Sequence, residues 1–124
     1  MNEDIEKDIR SLCEKFNSIN GFETIYSCHG HPMERKKPYI IFLSSVQDAG
    51  KLDNLLSSAQ QTGSLFYTWW ITANFDKKQN LQFKLETNDN RVSKCTKILP
   101  LNSWSHQHII KDFNMIEELL SLNF

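Results

Sequence analysis

The chain has 124 residues, enough for one domain with a real hydrophobic core. Apolar residues make up 40% and aromatic residues 11%, which excludes a chain disordered by composition. Fourteen basic residues against fifteen acidic ones leave a net charge of −1; this excludes a strongly basic nucleic-acid arm or an acidic tail, though not a local patch.

Residues 2–16 read as a helix, with Ile5, Ile9, Leu12 and Phe16 on one apolar stripe. Glu3, Asp4, Glu6 and Asp8 crowd its first two turns, where acids suit the positive end of the helix dipole. The run from Asn17 to Gly21 stops it. A strand is predicted over Phe22 to Ser27, followed by a break at Cys28-His29-Gly30-His31-Pro32 and a charged turn over Met33 to Lys37. Pro38 to Leu43 is apolar on both faces and reads as a central strand. Ser44 and Gln47 stand at capping-box spacing before a second helix carrying Leu52, Leu55, Leu56 and Ala59. Leu65 to Phe75 is aromatic and β-branched, hence strand material. Asp76 to Asn80 turns the chain into an alternating strand with Leu81, Phe83 and Leu85. Ile98-Leu99 suggests a short strand, and from about Ser105 the pattern is helical, with Asn102 or Ser103 as its cap. The expected fold is α+β, in the order α-β-β-α-β-β-α. One domain over 1–124 would hold a four-stranded, mainly antiparallel sheet with helices on one face.

The N-terminus is charged and lacks the apolar centre of a signal peptide, and the longest apolar run, Tyr39 to Leu43, is far short of a membrane span. Three cysteines (13, 28 and 95) without paired spacing argue against a disulfide framework, so a cytoplasmic protein with no membrane partner is expected.

All four histidines fall in two His-x-His pairs, 29/31 and 106/108. The first lies in Tyr26-Ser27-Cys28-His29-Gly30-His31-Pro32, where a strand gives way to a loop. Gly30 allows close backbone approach or positive φ there. A zinc reading takes Cys28, His29 and His31, with a further ligand from His106, His108 or Cys95. The spacing matches no standard zinc signature, so no metal ligand and no cofactor are assigned. A catalytic reading makes Cys28 a nucleophile with His31 or His106 as its base. The plain reading is a small buried Cys, one His bonded to backbone and one exposed His. The second pair precedes the last helix together with Trp104. If His106 and His108 are both helical, they point about 200° apart and cannot face one ligand. Trp104 is then either a wall of a site or an apolar staple.

Arg35-Lys36-Lys37 places basic charge beside the first pair, and no acid occurs between Asp89 and Asp112, a stretch holding Arg91, Lys94 and Lys97. This suits a phosphate-bearing ligand; the plain reading is a set of solvated charged turns. Phe66-Tyr67-Thr68-Trp69-Trp70 puts aromatic groups on both faces of one strand. One face packs on helices, and the other is a stacking platform or a surface for a second copy.

Residues 16–32, with Gly21-Phe22-Glu23-Thr24-Ile25-Tyr26-Ser27-Cys28-His29-Gly30-His31, resemble small bacterial and phage proteins. These carry a G-[hydrophobic]-x-T-x-x-S-C-x-G-H strand and loop followed by a PYI-F strand, here Pro38-Tyr39-Ile40-Ile41-Phe42. The resemblance covers roughly residues 5–60. It implies an accessory protein of phages or mobile elements, with Ser27, Cys28, Gly30 and His31 as motif positions. The Ser-Cys-x-Gly stretch is more loosely similar to the S-S-C-S-G-R motif of a wybutosine-synthesis tRNA methyltransferase. Here His31 replaces the Arg and Tyr26 precedes Ser27, so neither methyl transfer nor a tRNA substrate is carried over. The expected function is binding of a host protein or a phosphate-bearing small ligand through residues 26–32. Cys28 and His31 would be its reactive donors, and Tyr26, Ser27, Gly30, Arg35, Lys37, Trp104, His106 and His108 its ligand-binding residues. The alternative is a Cys/His-based metal or nucleophilic enzyme acting on a nucleotide or RNA, although nucleic acid is not the favoured partner.

Overall fold

The computed structural model describes residues 5–92 and 104–124. The expected strand at Ile98-Leu99, the caps Asn102 and Ser103, and Cys95, Lys94 and Lys97 lie outside those residues.

The order is α1 (Arg10–Ser18), β1 (Glu23–Cys28), β2 (Tyr39–Leu43), α2 (Val46–Gln61), β3 (Trp69–Phe75), β4 (Leu81–Thr87) and α3 (His106–Asn123). The four strands form one antiparallel sheet in the order β1-β2-β4-β3. β2 is therefore internal, as its two apolar faces require: Ile40 and Phe42 are buried under the helices, and Tyr39, Ile41 and Leu43 line the opposite, open face. Phe16 of α1, Phe22, Phe42 and Phe83 pack ring to ring, with centroids 5.2–5.8 Å apart, and join the helices to the sheet. Ser11 of α1 donates to Glu117 of α3, tying the outer faces of those helices.

Three boundaries differ from the sequence expectation. The first helix begins at Arg10, after a single 3₁₀ turn over Lys7–Ile9, and not at residue 2. Glu6 and Asp8 are engaged elsewhere, and that engagement ends the helix early. The third strand begins at Trp69, not Leu65. The amides of Phe66 and Tyr67 donate to the buried Asp112 carboxylate and that of Thr68 to Asp89, so none of these is free for a ladder. The cap of α2 is Ser45, one residue later than the spacing suggested; its hydroxyl accepts from the Asp48 amide.

Alternation through residues 66–70, which lead into β3, sorts the aromatic run. Tyr67 and Trp69 are buried in the core, whereas Phe66 and Trp70 remain about half exposed. The two outer strands meet helix side chains along their rims. Asp53 and Gln60 of α2 accept from the amides of Ile71 and Trp69 on β3. Asn17 at the end of α1 accepts from the Thr24 amide on β1, where the pairing with β2 also bulges between Thr24 and Tyr26.

Candidate functional site

The end of β1 and the loop after it build the site. Cys28 is the last residue of β1 and stands opposite Tyr39 on the open face. Gly30 follows with φ +90°, and a β-carbon there would come within 3.1 Å of the Pro38 ring, so both conformation and space require glycine. His31 and Lys36 exchange backbone hydrogen bonds at 2.8 and 3.1 Å. They close a tight loop around a 3₁₀ turn (Pro32–Glu34) and a left-handed Arg35. The loop fixes the His31 ring and sets Arg35, Lys36 and Lys37 on one rim.

That rim borders a cavity of about 490 Å³ floored by Cys28, Tyr39, Lys84 and Glu86 of the open sheet face and walled by Glu6 and His31. Its size falls within the roughly 300–1,000 Å³ of small-molecule sites. Lys84 pairs with Glu86 at 3.5 Å and lies over the Tyr39 ring. Ser27 also lines the cavity, with its hydroxyl beside the buried Cys13 thiol.

Behind the cavity three imidazoles converge on two carboxylates. Glu6 Oε1 accepts the His29 amide at 2.9 Å, and Oε2 lies 2.7 Å from His31 Nε2 and 3.6 Å from His29 Nε2. Asp8 Oδ2 lies 3.0 Å from His106 Nε2 and 3.6 Å from His29 Nδ1, and the Asp8 amide is 3.4 Å from that same nitrogen. The His29 ring centroid is 4.9 Å from that of His31 and 5.2 Å from that of His106. The two His-x-His pairs thus meet through His29 and His106. Burial raises the Glu6 carboxyl, but the His29 amide and the nearby His29 and His31 rings outweigh it, leaving its pKa below the usual value. The hydrogen bond from His106 holds Asp8 low as well. Cys28 moves the opposite way: burial is the largest cause, and the adjacent Glu6 carboxylate adds to it.

Not all expected site residues join this cluster. His106 and His108 are both in α3, so they diverge; His108 stacks on Phe66 with centroids 3.7 Å apart. Trp104, expected as a wall of the site, is buried in the core. Tyr26 lies on the open face, 63% exposed, and is absent from the cavity lining. Arg35 and Lys37 line the cavity. Sequence reasoning missed Glu6 and Asp8, since acids at a helix start carry a sufficient local explanation. Their even spacing two residues apart, matching that of the two histidines, was the only available signal.

No family model matches the chain, and no curated protein matches it in sequence. Among solved structures its fold is similar to that of the PH1069 protein from Pyrococcus horikoshii. The TM-score is 0.59 at 13% identity, over 94% of this chain and 85% of that one. At that identity the likeness is one of fold.

Proposed function

We propose that the protein acts by binding a phosphate-bearing small ligand in the cavity between the 31–37 loop and the open face of the sheet. The observation that carries this reading is the charge of the rim. Arg35, Lys36, Lys37 and Lys84 surround a cavity whose only acids among the described residues are Glu6 and Glu86, in a chain that is nearly neutral overall. Glu6 already faces imidazoles and Glu86 pairs with Lys84, so the three loop cations are the ones left for an anion. The resemblance of residues 16–32 to small accessory proteins supports a binding role. A thiolate nucleophile at Cys28 is the weaker reading, because its thiol is pushed up rather than down.

Calorimetric titration with ADP and with pyrophosphate tests the proposal. Both should bind, with affinity falling as salt rises, and Arg35→Glu combined with Lys37→Glu should weaken binding by roughly 30-fold or more. Failure of both probes to bind below about 1 mM, or binding indifferent to the charge reversal, would overturn it.

A further inference from the structure

The histidine–carboxylate cluster is more than the phosphate cavity requires. We infer that Glu6 Oε2, His29 Nε2 and His31 Nε2 form a site for one divalent first-row transition ion, with its open coordination positions turned toward the cavity. Each of the three residues offers a ligand atom within 4.8 Å of the others, and Glu6 Oε2 lies 2.7 Å from His31 Nε2 and 3.6 Å from His29 Nε2. Ligand atoms on an ion with bonds of ~2.0–2.1 Å stand about 2.9–3.4 Å apart, so small side-chain rotations close the shell. Two imidazoles and one carboxylate suit zinc, iron, cobalt or manganese.

The surroundings are those of ligands rather than of a surface ion-pair network. A metal-bound imidazole gives its outer N–H to a carboxylate. Here each outer nitrogen has a carboxylate in reach: His29 Nδ1 lies 3.6 Å from Asp8 Oδ2 and His31 Nδ1 3.6 Å from Glu34 Oε2, contacts that a bound ion would tighten into hydrogen bonds. With the ion on Nε2, the His29 proton sits on Nδ1, and the 3.4 Å contact in which that nitrogen accepts from the Asp8 amide is given up. Glu6 Oε1 is fixed by the His29 amide, which leaves Oε2 for the ion. The backbone clasp between His31 and Lys36 holds the third ligand. Because Glu6 and His31 also wall the cavity, an ion there has protein on one side and ligand space on the other. A second triad, Asp8, His29 and His106, shares His29 but lacks such support: His106 Nδ1 is buried with no hydrogen-bond partner among the described residues.

The inference stands independently of the phosphate reading, and its test uses no phosphate. Chelator-treated protein is titrated with Co²⁺, followed by its visible absorption, and with Zn²⁺ by calorimetry. One ion should bind per chain. His31→Ala should weaken binding by roughly 100-fold or more and Glu34→Gln by roughly 10-fold, while His106→Ala should change it by no more than about threefold. Circular dichroism of each variant checks the fold; Glu34, 61% exposed, keeps the test decisive if His31→Ala is unstable. Absence of stoichiometric binding would reduce the cluster to ion pairs and overturn the inference. Binding lost in His106→Ala but kept in His31→Ala would overturn it too, by placing the ion on the Asp8 triad.

Discussion

Asp112 reaches from α3 to three donors: the amides of Phe66 and Tyr67 and the indole N–H of Trp69, each at 2.8 Å. It is buried, so its carboxylate is matched almost entirely by these bonds. Asp112→Asn would turn an amide donor toward one of them; stability to urea should fall by roughly 2–4 kcal/mol. Asp89, just beyond β4, serves the Thr68 amide in the same way. The Arg91 guanidinium, bound at 2.8 and 2.9 Å, is the main cause that lowers its pKa to about 2. Since the folded-state value is depressed from 3.8, the carboxylate stabilises the fold above that pH, and the contribution is lost as pH falls toward 2. Arg91 is more than half exposed, so the effect is on the order of 1 kcal/mol. Urea midpoints taken between pH 5 and pH 2 should fall less steeply in Asp89→Asn than in the unaltered chain.

The outer strand β3 depends on α2 beyond apolar packing. Asp53→Ala removes the acceptor for the Ile71 amide, which should cost about 1 kcal/mol and raise light scattering at high protein concentration. Elements of this kind were legible in the sequence. The alternation of Leu81, Phe83 and Leu85 and the apolar stripe of α3 announced their partners, and β2 announced its internal place by being apolar on both sides. Boundaries set by side chains from distant segments were not legible. Nothing local to Phe66 or Tyr67 says that Asp112, more than forty residues later, accepts their amides. Equally, nothing near Glu6 says that His29 and His31 will draw it out of a helix.

At the scale of the molecule, the candidate site gathers Glu6 and Asp8, residues 27–39, Lys84 and Glu86, and His106 from four separate stretches. Periodicity along the chain assigns faces, and the clustered Cys, His, Gly and Pro marked the 26–32 loop; neither says which ends of elements meet. That is why the contact between His29 and His106 was an open question in the sequence and Trp104 was misplaced from core to site. The described residues contain no helix long and apolar enough to cross a membrane. The rims of the sheet carry one more consequence. On one margin Asn17 takes the Thr24 amide beside a bulge, and on the other Asp53 and Gln60 take those of Ile71 and Trp69. At those positions another strand could be spliced on only by first displacing helix side chains, so the sheet's margins are partly closed to ladder extension.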